Sequence, residues 1–217
     1  MSLWRPWSNA TRYGRNVLMN KTGIAVFGGA FNPPTVAHIN LAKQVLEEMN
    51  EIEKVIFVPV STKYNKKGLA SDDDRFNMLK SICNSQENLE VSDLELKSKR
   101  QLYTIETLRI IEEQNPGKEI YFIIGTDNLK ELETWYKPDE LLKNFKIIVL
   151  DRGEDNTDEI IEKSEFLKKY KSSFIKLKNI KKMNISSSYI REQLKLGNNV
   201  RDLVPEEIRA EVERIYK

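Results

Sequence analysis

The sequence predicts an α/β fold: a single doubly wound, mostly parallel sheet with helices on both faces. Two observations lead there. Strand-length apolar runs recur along the chain without polar alternation, the pattern of strands buried on both sides. Each run is followed by a stretch of helical spacing, and right-handed crossovers between parallel strands then lay those helices on the two faces of the sheet.

Ile24-Ala25-Val26-Phe27 is the first such run, and it ends in a tight turn at Gly28-Gly29. A helix over 34–50 places Val36, Ile39, Leu41, Ala42, Val45, Leu46 and Met49 on one face, and 55–60 forms a second buried strand. Asp72-Asp73-Asp74 opens a helix continued by Phe76, Met78, Leu79 and Ile82, its acids set where the helix dipole favours them. A shorter strand follows over 89–94. Thr104 begins a helix that Asn115-Pro116-Gly117 stops, and 120–124 is a central strand running into Gly125-Thr126-Asp127. Two short helical pieces flank Trp135, and 147–150 is another buried strand. A charged helix spans 158–170, a strand lies near 174–177, and helices over 187–196 and 205–216 end the pattern. This order is Rossmann-like, and in such sheets the ligand crevice lies beyond the carboxyl ends of the strands.

A chain of 217 residues suits one domain, expected over 23–217. With 40% hydrophobic and 31% charged residues and a net charge of +2, the composition calls for neither a nucleic-acid nor a membrane partner. No apolar run approaches the roughly 20 residues of a membrane span. The lone Cys83 lies in an apolar helical pattern and reads as packing, in a reducing, cytoplasmic setting. Residues 1–22 stand apart, with Trp4, Trp7, Arg5, Arg12 and Arg15 and no acid. They read as a leader or an upstream start, with Met19 the expected natural start and a transit peptide the lesser reading.

Three places at strand or helix ends carry candidate chemistry. After the first strand stands Gly28-Gly29-Ala30-Phe31-Asn32-Pro33-Pro34-Thr35-Val36-Ala37-His38. The glycines let backbone approach a ligand, Pro34 suits a first helical turn, and a helix N-terminus offers N–H groups and a positive dipole end to phosphate. Thr35 and His38 share one face of that turn. His38 is the one histidine of the chain, and its plain reading would be packing or solvent contact. Near the other end, Ile185-Ser186-Ser187-Ser188 precedes Arg191, so hydroxyls and a guanidinium gather at a second helix tip. The plain alternative there is a capped amphipathic helix with a surface arginine. Third, Gly125 and Asp127 end the central strand before Trp135-Tyr136, where an aspartate suits ribose hydroxyls and aromatics suit a flat ring; a capping acid and core aromatics are the alternative.

The segment from Phe27 to His38 resembles the signature of nucleotidyltransferases with a His-or-Thr, any, Gly, His motif. Together with Ile185-Ser186-Ser187-Ser188-Tyr189-Ile190-Arg191, Tyr103-Thr104-Ile105-Glu106-Thr107-Leu108 and Ile123-Ile124-Gly125-Thr126-Asp127, it is most similar to bacterial nicotinate-nucleotide adenylyltransferase. That resemblance covers the chain from Gly23 almost to its C-terminus. It implies adenylyl transfer from ATP to the 5′-phosphate of nicotinate mononucleotide, giving deamido-NAD and pyrophosphate. By the same resemblance His38, Thr35 and Arg191 are catalytic, and Gly28, Gly29, Ala30, Phe31, Asn32, Gly125, Asp127, Ile185, Ser186, Ser187 and Ser188 bind ATP with them. Thr104, Trp135, Tyr136 and Asp127 hold the acceptor. Mg²⁺ enters with ATP, with no protein-bound metal cage or prosthetic group expected, and a homo-oligomer stays open.

The chain departs from that pattern in places. Ala37 stands where glycine is usual, and Thr35 where the family mostly has histidine. The stretch holding Lys63, Lys66 and Lys67 replaces a proline- and histidine-containing one, as phosphate-facing charge or as a solvated loop. Asp151-Arg152-Gly153 replaces a more arginine-rich turn near the adenine. The rival functions are transfer to nicotinamide mononucleotide or another phosphate, cytidylyl transfer, and nucleotide sensing without turnover.

Overall fold

The computed structural model describes residues 22–63, 68–177, 183 and 185–217; the expected extension up to residue 21, Lys66 and Lys67 lie outside them. Strand β1 (Gly23–Gly29), helix α1 (Val36–Glu48), β2 (Ile52–Pro59), α2 (Asp72–Asn84) and β3 (Leu89–Val91) form the first half. Helices α3 (Leu94–Lys97) and α4 (Thr104–Gln114) lead across to β4 (Glu119–Gly125). Then come α5 (Thr126–Glu131), a 3₁₀ turn (Leu132–Thr134), α6 (Pro138–Asn144), β5 (Lys146–Leu150), α7 (Thr157–Lys163), α8 (Glu165–Lys169) and β6 (Phe174–Lys176). Helices α9 (Ser187–Lys195) and α10 (Arg209–Tyr216) complete the order.

The mostly parallel sheet of the sequence is parallel at every described pairing, six strands in the order β3-β2-β1-β4-β5-β6. Winding reverses between β1 and β4, which is where a crevice opens past their carboxyl ends. Side chains alternate across the sheet. Ala25, Phe27, Val55, Phe57, Tyr121 and Ile123 face α1, α2, α9 and α10. Ile24, Val26, Ile56, Val58, Ile120 and Phe122 face α4 to α8. Each layer is a continuous buried cluster, so the strand ends between them are held on both sides. Cys83 is half-buried against the first cluster, and burial pushes its thiol up to about 12, the behaviour of a packing residue.

Several boundaries differ from the sequence reading, β2 among them, which begins at Ile52 and not at residue 55. The helix expected from residue 34 begins at Val36 because Thr35 is its N-cap, with extended backbone (φ −121°, ψ 160°). The helix expected over 158–170 is two helices, since Ser164 leaves α7 and caps α8 by accepting from the Leu167 N–H at 3.2 Å. The strand expected to Leu94 stops at Val91, and Leu94 opens the four-residue α3. The last helix starts as a 3₁₀ turn (Glu206–Ile208) before α10.

Beneath the strand ends lies a buried cation. Arg75 of α2 is fully buried and donates from Nε to the Ala70 carbonyl (3.1 Å) and from Nη1 to the Ala30 carbonyl (2.9 Å). Its Nη2 meets Asp72 at 2.6 Å. Asp72 in turn accepts from Ser61 Oγ (2.8 Å) and the Thr62 N–H (2.7 Å). Burial pushes the Asp72 carboxyl up, but the Thr62 and Ser61 hydrogen bonds and Arg75 outweigh it and hold the group below its ordinary value. One ion pair thus anchors the loops after β1 and β2 together.

Candidate functional site

Past the end of β1 a cleft of about 370 Å³ opens between α1, the β5–α7 turn and the tip of α9, lined by Ala37, His38, Gly125, Arg152, Ser186 and Ser187. Its walls also include Phe27 and Leu150, both from the α1/α2 side of the sheet. A second hollow of about 200 Å³ lies on the opposite face, walled by Val26, Val58, Phe122, Thr104 and Trp135 and floored by Gly28 and Gly29. The carboxyl end of β1 therefore stands between two cavities.

The first turn of α1 is organised as a capping box. Thr35 Oγ1 accepts from the His38 N–H (3.3 Å), while His38 Nδ1 accepts from the Thr35 N–H (3.1 Å) and lies 2.9 Å from Thr35 Oγ1. The expectation that this helix end offers open N–H groups to phosphate needs correcting. The Val36 N–H is taken by the Leu203 carbonyl at 3.1 Å and the His38 N–H by Thr35, so α1 is capped largely by protein. Thr35 is fully buried, which turns its hydroxyl toward the helix rather than the cleft.

His38 is half-buried, with its ring centroid 5.2 Å from that of Phe31 and 6.0 Å from that of Phe27. Desolvation by these surroundings, then the Arg152 charge, lower its pKa to about 4. At neutral pH the imidazole is uncharged.

At α9 the serines and the arginine gather at the helix tip as expected, but Ser188 and Arg191 are not among the residues that line the cleft. Ser186 caps the helix by accepting from the Tyr189 N–H at 3.1 Å. Ser187 Oγ donates to the Pro33 carbonyl (2.7 Å), and Arg191 donates to the Asn32 carbonyl (2.6 Å) and to Ser188 Oγ (3.2 Å). Two segments 154 residues apart in sequence are thus stitched into one rim, with Ser187 beside His38 in the same cleft. Ile185 lines it too.

Between the tips, Asn32 is a hub rather than an open ligand. It is buried, donates from Nδ2 to the Gly68 carbonyl (3.0 Å), and accepts at Oδ1 from the Ala70 N–H (2.9 Å) and the Tyr216 hydroxyl (2.6 Å). Phe31 adopts φ 46°, which buries its ring against His38, and the Ala30 carbonyl is engaged by Arg75. Of the glycine-loop residues, Gly28, Gly29 and Ala30 border the smaller hollow.

Gly125 is where a side chain cannot be accommodated without movement. A Cβ there would fall 2.4 Å from Asp127 Oδ1 and 2.5 Å from Arg152 Nε. Asp127 and Arg152 form a 3.3 Å ion pair at the cleft edge, both more than half exposed. Gly125→Ala should leave the unfolding midpoint nearly unchanged, since two flexible side chains can swing away, while weakening ATP binding about tenfold. Titration calorimetry with a non-hydrolysable ATP analogue checks this, and unchanged affinity would count against the cleft as the nucleotide site.

In the smaller hollow Thr104 and Trp135 come together as expected, Trp135 edge-on to Phe122 at 6.3 Å. Tyr136 does not line it. Its exposed ring stacks on Tyr103 at 4.2 Å, with the Lys137 ammonium 5.6 Å from the ring centre. Glu95 of α3, which sequence reading missed, is a buried carboxylate in the wall, accepting from Thr107 Oγ1 at 2.8 Å. Lys63 donates to the Ser98 (2.7 Å) and Leu96 (3.3 Å) carbonyls and so pins its loop. Among the described residues no cluster of metal-ligating side chains occurs and no helix is long and apolar enough to cross a membrane.

The cytidylyltransferase-like family matches residues 26–193. A relative from Clostridium tetani (strain Massachusetts / E88) is 32% identical over 185 residues, 84% of this chain and 92% of its own length. One from Caldicellulosiruptor saccharolyticus is 37% identical over 182 residues, 83% and 91% of the two chains. Both bear the name "Probable nicotinate-nucleotide adenylyltransferase". The solved structure of the Plasmodium falciparum nicotinic acid mononucleotide adenylyltransferase complexed with NaAD has the same fold, with a TM-score of 0.71 at 23% identity over 89% of this chain and 95% of that one.

Proposed function

The chain belongs to the cytidylyltransferase-like family, among its nicotinate-nucleotide adenylyltransferases, and from that premise we propose how it transfers the adenylyl group of ATP to nicotinate mononucleotide. The products are deamido-NAD and pyrophosphate. One observation carries the reading: two cavities on opposite faces of the sheet share the end of β1, the larger beside His38 and the α9 tip, the smaller beside Thr104 and Trp135.

ATP takes the larger cleft. Its phosphates run between His38 and the α9 tip, where Ser187 and Ser188 bring hydroxyls and the Arg191 guanidinium, held beside the cleft on the Asn32 carbonyl and Ser188 Oγ, turns from those partners to meet them. The ribose takes Asp127, displacing its pairing with Arg152. The pyridine ring of the acceptor takes the smaller hollow against Trp135, which presents a π face, and Thr104. The 5′-phosphate then attacks the α-phosphorus in line. A bond forms from an acceptor phosphate oxygen to phosphorus, the bond to the bridging oxygen breaks, and pyrophosphate leaves with that electron pair. The nucleophile is already an oxyanion near neutral pH, so the protein needs no base; it aligns the reactants and stabilises charge on the transferring group. Mg²⁺ arrives as part of the ATP substrate, ligated mostly by phosphate and water.

Pyrophosphate release measured with ATP and each of two acceptors tests the assignment. Nicotinate mononucleotide should exceed nicotinamide mononucleotide at least tenfold in kcat/KM. Pyrophosphate with neither acceptor would favour a nucleotide sensor, and faster turnover with CTP than with ATP would favour cytidylyl transfer.

A further inference from the structure

We propose that Thr35 is a positioning residue that fixes His38 as a neutral imidazole with its one proton on Nε2, so that the ring meets the phosphates as an aimed hydrogen-bond donor and not as a cation. The proposal rests on the adenylyl-transfer reading for the role of the ring, while the state of the ring itself follows from local geometry.

A capping box requires the third helical side chain to accept from the N-cap backbone N–H, a place ordinarily taken by glutamate or glutamine. Here the acceptor is His38 Nδ1, which lies 3.1 Å from the Thr35 nitrogen that donates to it. A neutral imidazole has one N–H and one bare nitrogen. With Nδ1 occupied as the acceptor, the proton must sit on Nε2, the other nitrogen of a ring that borders the cleft. A proton on Nδ1 would face the Thr35 N–H, donor against donor. Thr35 Oγ1, at 2.9 Å from the same nitrogen, fits either tautomer, since a hydroxyl can donate or accept and here also receives the His38 N–H; the Thr35 backbone N–H, which can only donate, decides between them. Because Thr35 is fully buried, it acts on the substrate only through the ring.

The groups around the ring point the same way. From β1 and the following loop come the uncharged rings of Phe27 and Phe31. From α9 come Ser186 and Ser187, and the nearby Arg191 is turned to the Asn32 carbonyl. Across the cleft Arg152 opposes an imidazolium, and Asp151, the acid in the same wall, is engaged by the Thr157 N–H and hydroxyl at 3.0 and 2.6 Å. The lowering of His38 to about 4, by burial first and Arg152 second, agrees with this inventory.

The chain has one histidine, so the ring ¹⁵N spectrum of histidine-labelled full-length protein reports His38 alone. At pH 7 it should show a protonated Nε2 and a hydrogen-bonded bare Nδ1, unchanged down to pH 5, with or without α,β-methylene ATP and Mg²⁺. Thr35→Asp keeps a good N-cap but sets an acceptor-only carboxylate against Nδ1. That should raise the midpoint by more than one pH unit and move the proton of the neutral ring to Nδ1, leaving Nε2 bare. Turnover of Thr35→Asp relative to wild type at the same pH, which cancels substrate titration, should then fall tenfold or more from pH 6.5 to 8.5. Thr35→Ser should stay within twofold of wild type throughout. A wild-type ring protonated on Nδ1, titrating near 6.5, or cationic with the analogue bound would overturn the proposal, as would a flat pH ratio for a folded Thr35→Asp. The spectrum needs no acceptor, so a wrong acceptor assignment would show in the pyrophosphate assay and leave this result readable.

Discussion

His38→Ala should lower turnover by about 10²–10³-fold, the range for removal of one preorganised donor aimed at developing charge. ATP affinity should fall by less than about fivefold, because the proposed site shares its ground-state hold on the triphosphate with Ser187, in the same cleft, and with Ser188 and Arg191 beside it on α9. The split follows from geometry. The ring is fixed by Phe27, Phe31 and the Thr35 box before substrate arrives, so its donor costs no reorganisation as charge shifts onto the phosphate oxygens. A loss confined to the transition state lowers kcat and kcat/KM together, and a loss of uniform binding raises KM alone. Steady-state kinetics with calorimetric ATP affinity separates the two. Turnover within threefold of wild type would remove His38 from the chemistry.

The largest effect on stability should come from Arg75→Ala, a loss of about 3 kcal/mol in unfolding free energy. Breaking a buried ion pair by deleting one partner costs roughly 3–5 kcal/mol. The lower end applies because the Asp72 side chain keeps 22% exposure and regains water. The remaining cost is the Ala30 and Ala70 carbonyls, which lose their charged donor. For a chain of this size the melting temperature should drop by roughly 6–12 °C. Arg75→Lys retains the charge without a planar fork that reaches three acceptors and should recover less than half the loss. Urea unfolding of both variants checks this; a change below about 1 kcal/mol in Arg75→Ala would mean the two loops do not depend on their shared anchor.

How much of this was legible beforehand depended on whether a pattern was long enough to register. The strands were, because burial on both faces leaves unbroken apolar runs such as Ile24 to Phe27 and Ile147 to Leu150. The α4 boundaries, Thr104 and Gln114, were set by residues with one reading, above all the Asn115-Pro116-Gly117 stop. Ser164 had two readings, helix interior or cap, and only docking of α8 against the sheet decides between them. α3, one turn long, has too few residues for a period, so Glu95 stayed hidden with it. At the site, His38 and Ser187 were legible as residues near strand and helix ends and do meet in one cleft, while Arg191, drawn to the site by the resemblance, stands beside that cleft on the Asn32 carbonyl. Thr35 was legible as a residue but not as a role: three-residue spacing says that two side chains share a face, not that one is turned inward as a cap. Tyr136 was assigned with Trp135 by the family resemblance, but consecutive residues in an extended stretch point apart, and here its ring stacks on Tyr103. Arg75, following three aspartates, drew no reading from the sequence, because its burial is a property of the assembled loops.

The hold that Tyr216 and Leu203 exert on the loop after β1 has a consequence for modularity. Asn32 receives the Tyr216 hydroxyl across 184 residues of sequence, and the first N–H of α1 ends on Leu203. A peptide cut out as the first strand, its glycine turn and the next helix would spell every letter of the signature yet keep the turn loose. Grafted onto a foreign scaffold, those letters would need a substitute for the late helix before they could grip a nucleotide.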